Sequence, residues 1–571
     1  MHVATTRRHY KDKVYETHLL RRSFRDAQGR PRNETLANLS HLPATTIEAI
    51  RRSLKGEPLV GADEAFTIER SLPHGHVAAV AAVARRLGLP KLLGPACRQR
   101  DLAFALIIAR VCRPGSKLAT SRWWDDTTLA ADLSVADAST DEIYGAMDWL
   151  GARQEPIEQK LADRHLSDGG LVYYDLSSSY VEGRHCELAA LGYSRDGRRG
   201  KLQITYGLTC DPEGRPVAGE VFTGNTGDPT AFTAAVAGVR ERFGLQRVVM
   251  VGDRGMITDA RIRALKELGG IGWITALRAP AIKSLAESGH LQLSLFDQAD
   301  LAEITHPDYP DERLVVCRNP ALARERARKR TELLAATEAE LDKIVTAVEA
   351  GRLTDPAKIG LRVGRVVNRY KMAKHFDLDI SHGRFVYTRR AEAIETEAAL
   401  DGVYVVRTSV TPQTLDAAAV VVAYKNLKHV ERDFRSLKTV DLELRPIHHR
   451  LEQRVRAHVL ICMLAGYLVW HLRRAWAPIC FTDEQPPDPT TDPVGPASRS
   501  DAALAKISRR TTGHGQPAHS LATLLDHLAT LTRNRIRFAD SDAVIDKLAQ
   551  PTDLQRQAFD LLDAPIPLRI G

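Results

Sequence analysis

The order of apolar runs between residues 171 and 276 constrains the fold of this 571-residue chain most strongly. Three strand-like runs follow one another closely, namely LVYYDLSS, KLQITYGLTC and RPVAGEVFTG. Helical patterns at 229–243 and 258–268 then alternate with the runs RVVMV and IGWITAL. This order predicts a mixed sheet covered by helices, a class in which functional groups lie at strand ends.

Two aspartates are predicted to lie at such strand ends. Asp175 follows the apolar residues of LVYYDLSSSY, and Asp253 follows Val248–Val251 between Gly252 and Gly255. Packing rarely requires Asp after a buried strand, but Asp is also a common turn residue at that position. Each aspartate alone therefore fits a turn as well as a functional site.

The segment YKNLKHVERDFRSLK, residues 424–438, is predicted to form an amphipathic helix with an apolar stripe beside a charged one. At roughly 100° per residue, one narrow face carries Tyr424, Lys428, Glu431, Arg435 and Lys438. A single carboxylate among cations and a phenol suits an anionic ligand. An ordinary surface helix with i,i+4 ion pairs has the same pattern.

The three acids become informative when they are considered together. Asp175, Asp253 and Glu431 offer hard oxygen ligands of the kind that Mg²⁺ and Mn²⁺ prefer. Two-metal phosphodiester chemistry needs carboxylates that converge from different elements on cations about 4 Å apart. Asp433 is the alternative acid on the helix, but it points about 200° away from Glu431, so geometry favours Glu431.

This arrangement resembles the DDE transposases of bacterial insertion sequences, in the branch with the Tyr-Arg-Glu-Lys signature. Tyr424, Glu431 and Lys438 match that signature in spacing. Leu427 occupies the position of the basic residue, and Lys428 beside it is the available substitute. The resemblance extends from about Leu171 to Trp470 and includes the stretch TGNTGD.

The resemblance implies an RNase H-like catalytic core and a DNA transposase that cleaves the terminal repeats of its element. Asp175, Asp253 and Glu431 would be both the catalytic residues and the ligands of two Mg²⁺ or Mn²⁺ ions. Hydrolysis would free a 3′-OH, which then attacks target DNA without a covalent protein intermediate.

DNA contacts are also implied. The residues expected to bind phosphates are Tyr424, Lys428, Arg435, Lys438 and Arg254. Trp273 is a candidate for stacking on an unpaired base, although a Trp in a strand is more often part of a core. The expected partners are double-stranded DNA, both transposon ends and target, and further copies of the chain in a homodimer or larger synaptic complex.

Two other classes of protein share these features. A metal-dependent nuclease on the same fold would use the same three carboxylates but would not join DNA. A non-catalytic DNA-binding protein derived from a transposase would explain Leu427 as decay, although the intact trio of acids argues against it.

Composition agrees with a DNA-acting protein of the bacterial cytoplasm and nucleoid. The formal net charge is +9, which favours an anionic partner. The seven cysteines are scattered without a CxxC pair, which predicts reduced thiols and no zinc module. The longest apolar run, Val459–Trp470, is shorter than the roughly 20 residues of a membrane helix, and a buried helix is expected there.

About 180 residues separate Asp253 from Glu431, too many for one connection in a compact domain, so an inserted α+β domain is expected. It should contain the strands RLVVC and RFVYT around a long helix at 321–349. The predicted regions are a basic hairpin region (1–60), a helical, DNA-binding domain (61–170), the first part of the core (171–280), the inserted domain (281–400), the second part of the core with the Glu helix (401–475), a Pro-rich linker (476–517) and a C-terminal helical region (518–571).

Overall fold

The computed structural model describes residues 1–10, 13–57, 65–296, 299–539 and 543–570. The chain forms two compact units. The first comprises Met1–Leu72 and Thr532–Ala549, and the second comprises Pro73–Leu531 and Gln550–Gly571.

The elements follow one another along the chain in three groups. Before the predicted core lie β1 (His2–Tyr10), β2 (Lys13–Arg25), β3 (Pro31–Asn38), α1 (Ala44–Leu54), β4 (Phe66–Pro73), α2 (Gly75–Arg86), α3 (Leu89–Leu93), α4 (Arg98–Cys112), α5 (Lys117–Asp125), α6 (Thr128–Asp132), α7 (Thr140–Gly151) and α8 (Gln154–His165). Next come β5 (Leu171–Tyr180), β6 (Gln203–Cys210), β7 (Pro216–Thr223), α9 (Asp228–Ala237), β8 (Val248–Val251), α10 (Asp259–Leu268), β9 (Ile271–Ala276), α11 (Ala279–Glu287), β10 (Leu301–Ile304), β11 (Arg313–Arg318), α12 (Pro320–Glu349), α13 (Pro356–Tyr370), β12 (Phe376–Ser381), β13 (Arg384–Arg389), α14 (Ala391–Ala399) and β14 (Val403–Thr408). The last group is α15 (Ala417–Lys425), α16 (Leu427–Arg435), α17 (Glu452–Ala475), α18 (Asp501–Arg509), α19 (Leu521–Ala529), β15 (Thr532–Phe538), β16 (Val544–Leu548) and α20 (Asp553–Asp560).

The first unit contains two small three-stranded sheets. Strands β1, β2 and β3 form one, and the turn DAQGRPR joins β2 to β3 as the predicted hairpin. The sequence prediction missed β1, which pairs with β2 along its whole length. Strands β16, β15 and β4 form the other sheet. The stretch LTRNRIRF was expected to be helical, but it forms β15, since its β-branched and aromatic residues suit a pleated surface.

An eight-stranded mixed sheet forms the framework of the second unit, in the order β10-β11-β14-β9-β8-β5-β6-β7. Strands β5, β6 and β7 are antiparallel neighbours, while β5 pairs in parallel with β8 and β8 with β9. These five strands follow the predicted order. Strands β14, β11 and β10 extend the sheet beyond β9 in antiparallel pairing. The run RLVVC, expected in an inserted domain, is therefore part of this sheet as β11.

One continuous apolar core unites the sheet with the helices of residues 75–165. Helix α17 packs on α2, α4, α7 and β7, and its residues Leu464 and Leu468 are fully buried. By length and composition α17 could cross a membrane, but 78% of its most apolar window is buried inside the unit. The buried helix predicted around Val459–Trp470 is thus confirmed, and the helices expected in a separate domain at 61–170 share the core of the sheet.

A smaller core lies between β11 and β14 in the chain. Residues of α12, α13, β12 and β13 form it, including Leu341, Ile359 and Phe385. The long helix predicted at 321–349 corresponds to α12, and RFVYT lies in the hairpin β12–β13. The apolar faces of these elements are buried against one another, and no described strand of the large sheet contributes to this core.

The Pro-rich segment 486–500 contains neither helix nor strand, as expected from its composition. It is nevertheless packed rather than solvated. Val494 is buried, and its carbonyl accepts a hydrogen bond of 2.9 Å from Asn319 Nδ2, while Lys425 Nζ donates to the carbonyl of Pro493 at 2.8 Å. The segment is therefore attached to the framework near α12 and α15.

Candidate active site

Asp175 and Asp253 occupy matching positions on two parallel strands. The last residue pair of the β5–β8 ladder is Tyr173 with Val251. Asp175 lies two residues beyond that pair on β5, and Asp253 lies two residues beyond it after β8 ends. The prediction that Asp175 ends its own strand was wrong, because β5 continues to Tyr180 in its pairing with β6. Both aspartates still mark the end of the same parallel ladder.

Three carboxylates act electrostatically on one another at this point. The pKa of Asp175 is raised to about 7, mainly by burial and also by the negative charges of Asp253 and Glu431. The backbone N–H of Leu176 donates to Asp175 Oδ1 at 2.7 Å and opposes the shift, as does the charge of Arg195. The three acids predicted from the sequence therefore belong to one electrostatic site.

Glu431 reaches this site from α16. The helix packs on β5 and buries Leu427, Val430 and Phe434, with the ring of Phe434 edge-on to Tyr206 at 5.7 Å between centroids. Glu431 lies on the exposed side, and among the described residues it has no ion-pair partner. An unpaired carboxylate on a firmly packed helix is available to a ligand.

The predicted helix from Tyr424 to Lys438 is in fact three pieces. Helix α15 ends at Lys425, α16 runs from Leu427 to Arg435, and Ser436–Val440 forms a π-helical turn. Tyr424 still lies with the acids. Burial raises its pKa to about 12, the charges of Asp253, Glu431 and Asp175 add to the shift, and Arg254 opposes it. Tyr424 is thus a protonated phenol beside three carboxylates and one arginine.

The structure corrects the role expected for Lys438. Its side chain is 8% exposed, and Nζ lies 2.8 Å from Oδ1 of the buried Asp196. Arg445 Nη1 binds the same oxygen at 2.7 Å. A lysine held in this way is part of a buried ion-pair network rather than a free phosphate ligand.

Trp273 is likewise a core residue. It is 2% exposed, and its indole N–H donates to Glu312 Oε2 at 3.2 Å. Burial leaves no open ring face for a base, so the expectation of base stacking at this position was wrong.

The three other predicted phosphate ligands, Arg254, Arg435 and Lys428, are exposed, but Lys428 does not lie on the same side of the molecule as Arg254. Arg254 and Arg435 are solvent-exposed, and Arg254 acts on Tyr424. Lys428 lines a cleft of about 900 Å³ together with Arg432 and Asp433, and Glu431 is not among the described residues around it. Lys428 therefore faces the side of Asp433.

Asp433 itself lies apart from the three acids. Burial raises its pKa to about 7, and its carboxylate is 4.0 Å from the Cys210 thiol, which donates to it. The choice of Glu431 over Asp433 from helical geometry agrees with these surroundings.

Two residues of the site were not predicted from the sequence. Asp228, the first residue of α9, binds the guanidinium of Arg195. A Cβ placed on Gly255 would lie 3.1 Å from Asp253 Oδ1 and 3.5 Å from Asp228 Oδ2, so both carboxylates flank this glycine. The sequence feature that could have indicated Asp228 is the stretch TGNTGD, which ends at this residue.

The donor set fits a divalent cation in its chemistry. Its oxygens are hard ligands, and burial together with repulsion from Asp253 and Glu431 raises the pKa of Asp175, which a bound cation would oppose. Within the described ranges, however, no three His, Cys, Asp or Glu side chains form a group arranged to hold a metal ion as they stand. Side-chain adjustment would have to accompany metal binding. The seven cysteines are all free.

Comparison with known proteins yields two family matches. Residues 184–468 match the family described as the transposase DDE domain, a range that includes Asp253 and Glu431 and begins shortly after Asp175. Residues 3–64 match the family described as the IS1634 family transposase, N-terminal domain. No curated protein matches the chain.

Among solved structures, the chain is similar to piggyBac transposase in a synaptic complex with hairpin DNA. The identity is 8%, the TM-score is 0.34, and the alignment covers 80% of this chain and 76% of the other.

Proposed function

The chain belongs to the DDE transposases of insertion sequences, and we propose that Asp175, Asp253 and Glu431 are the three carboxylates of its catalytic site. The observation that carries this assignment is the position of Asp175 and Asp253, each two residues beyond the last pair of the parallel β5–β8 ladder, together with the charges of Asp253 and Glu431 that both act on Asp175. Carboxylates from two neighbouring parallel strands and from a helix distant in the chain therefore converge on one place. That is the convergence that cleavage of a phosphodiester by this class of chemistry requires.

The cofactor proposed for these carboxylates is a pair of divalent cations, Mg²⁺ or Mn²⁺. When bound, the cations would supply Lewis acidity for in-line displacement at phosphorus. Asp175, Asp253 and Glu431 would hold them, and Asp228 is a further oxygen ligand within reach of Asp253. Mutual repulsion of the acids is what makes this site favour a cation.

The other side chains of the site bind and orient the DNA in this proposal. Tyr424, which keeps its proton because of its raised pKa, donates a hydrogen bond to a phosphate oxygen. Arg254 and Arg435, exposed and positively charged, bind phosphates on the two sides of the scissile bond. Apolar packing beneath α16 holds Glu431 in place while the DNA is bound.

The reaction has two displacement steps. Water cleaves the phosphodiester at the end of the element and leaves a 3′-OH, and that 3′-OH then attacks a phosphodiester of target DNA. The partners are therefore two transposon ends and a target duplex, brought together by two or more copies of the chain in the bacterial nucleoid. We propose an RNase H-like ancestry for the sheet from the strand order β7-β6-β5-β8-β9.

Cleavage of the element's own terminal repeats tests the assignment. With Mg²⁺ or Mn²⁺, the wild type should nick the ends, and Asp175→Ala or Asp253→Ala should lower the rate on the order of 10³-fold or more while DNA binding is retained. Full activity of either variant would overturn the role of that residue.

A second assay separates transposition from simple hydrolysis. Pre-cut ends with a free 3′-OH are mixed with a target plasmid, and joined products are counted. Cleavage of intact ends without any joining would identify a nuclease, while binding without cleavage in the wild type would identify a non-catalytic derivative.

A further inference from the structure

The loop that joins β5 to β6, residues 181–202, exposes two large side chains. Tyr193 is 81% exposed and Leu191 is 63% exposed. Burying an aromatic ring removes a large apolar area from water, so a ring held this far into solvent is available to a binding partner.

The backbone that carries Tyr193 is firmly anchored. Gln203 Nε2 donates to the carbonyl of Tyr193 at 3.0 Å, and the N–H of Arg195 donates to Ser178 Oγ at 2.9 Å. Gly192 packs so closely on the carbonyl of Gly224 that a Cβ there would lie 2.1 Å from that oxygen. The side chain is therefore presented from an ordered backbone, and little conformational entropy remains to be lost on binding.

The loop is also attached to the proposed catalytic site. Arg195 binds Asp228, which shares the surroundings of Gly255 with Asp253, and Arg195 acts on the charge of Asp175. The next residue, Asp196, accepts the buried ion pairs of Lys438 and Arg445. The guanidinium of Arg195 lies over the ring of Tyr193, 5.7 Å from its centroid, so the exposed ring is in contact with the arginine that reaches this site.

The loop that carries the ring also carries exposed positive charge. The exposed arginines of the loop are Arg184, Arg198 and Arg199, and none of them has an ion pair with another described residue. Lys201 is paired with Glu182 at 3.3 Å, and the exposed Glu187 has no ion pair with another described residue. Three exposed arginines against one exposed glutamate leave the loop with net positive charge beside an exposed aromatic ring, a combination that suits nucleic acid through phosphate contacts and base stacking.

We propose that Tyr193 stacks on a nucleobase of the transposon end next to the cleaved phosphate, and that Arg198 and Arg199 bind the phosphates that flank this base. The inference rests on the proposed function, since it names the DNA contact of that same site. The ring holds the distorted end in position, and it takes no part in the bond-breaking step. Tyr193 is therefore a positioning residue.

The test compares Tyr193→Ala with Tyr193→Phe, because phenylalanine keeps the stacking surface. With end DNA in EDTA, Tyr193→Ala should weaken binding by roughly 5- to 150-fold, the range that corresponds to loss of one base–aromatic stack. Tyr193→Phe should bind like the wild type. Leu361→Ala is the matched control, since Leu361 is 60% exposed on α13, whose core contains no residue of the site.

Two further measurements show where the ring acts. 2-Aminopurine at the positions that flank the cleavage site should change fluorescence on binding to the wild type and Tyr193→Phe, but not on binding to Tyr193→Ala. An abasic nucleotide at the responding position should remove the difference in affinity between the wild type and Tyr193→Ala.

The outcomes separate this inference from the proposed function. A wild type that binds ends but does not cleave them would refute the proposed function. Cleavage by the wild type, together with equal affinity and fluorescence for Tyr193→Ala, would overturn the stacking role alone. A loss of self-association in Tyr193→Ala, measured by light scattering, with unchanged fluorescence would instead identify the loop as a contact between copies of the chain.

Discussion

Helix α16 and the π-helical turn that follows it were predicted as one continuous stripe, but their charged residues have opposite surroundings. Glu431 is exposed, is unpaired among the described residues, and its charge acts on Asp175 and Tyr424. Lys438 is buried and bound to Asp196. In the π-helical turn Ser436–Val440, the N–H of Asp441 donates to the carbonyl of Ser436, five residues earlier. A π-helical turn contains more residues than an α-helical turn, so the side chain of Lys438 points in a different direction from the one that α-helical periodicity predicts. One end of the stripe therefore carries a proposed catalytic residue, and the other end belongs to a buried ion-pair network.

The largest predicted effect is a difference in the rate of DNA cleavage between variants of the two acids of α16, Glu431 and Asp433. Glu431→Gln should lower end cleavage on the order of 10³-fold, because the variant loses a charge at the proposed metal site. Asp433→Asn, two residues away in the cleft of Lys428, should stay within a few-fold of the wild type. The comparison is measured as single-turnover cleavage at saturating Mg²⁺. Equal losses in both variants would contradict the separation of the two faces.

The second prediction concerns Lys438, at the other end of the stripe: the protein should become less stable when the ion pairs of Asp196 are removed. Asp196→Ala leaves Lys438 and Arg445 without their shared partner, and we expect a loss of about 3–5 kcal/mol in the free energy of unfolding. Lys438→Met should cost less, because Arg445 still neutralises Asp196. Urea unfolding followed by circular dichroism measures both changes. A normal stability for Asp196→Ala would argue for an open, DNA-facing Lys438.

The pKa of Asp175 predicts a pH dependence without divalent metal. The ordinary value is 3.8 and the value in the fold is about 7, so the folded state binds the proton more tightly than the unfolded state. The free energy of unfolding should therefore fall as pH rises from about 4 to about 7 and then level off, by roughly 4 kcal/mol for a difference of about three pKa units. Asp175→Asn should flatten this profile, and Mg²⁺ should bind more tightly as pH rises. A pH profile identical in Asp175→Asn would show that Asp175 is not the titrating group.

The smallest effect concerns the exposed cations. Arg435→Ala should lower the slope of log affinity for DNA against log salt by about one, with stability changed by less than about 0.5 kcal/mol. Lys428→Ala, on the side of the Asp433 cleft, should leave the slope unchanged. A drop for Lys428→Ala instead would show that DNA occupies the cleft.

The sequence predicted more of the fold near the acids than elsewhere. Apolar runs of strand and helix length are local signals, and they gave the order of β5 to β9 and the buried helix α17. Strands β14, β11 and β10 come from a distant part of the chain, and no local pattern states that they join the same sheet. The same limit explains why β1 and β15 were missed or misassigned, since their pairing partners decide their conformation.

The sequence by itself determined the family, through a resemblance that the family matches support, and it supplied the candidate residues of the site: two aspartates in or after apolar strands and a glutamate on an amphipathic helix. Only the tertiary structure decided which charges are free. Lys438 is paired with Asp196 and is not free to bind a phosphate, and Lys428 faces the cleft of Asp433. Asp228 and Arg195, which were not predicted from the sequence, lie at the site. The physical reason is that ion pairing and burial depend on residues far apart in the chain, which helical periodicity cannot encode.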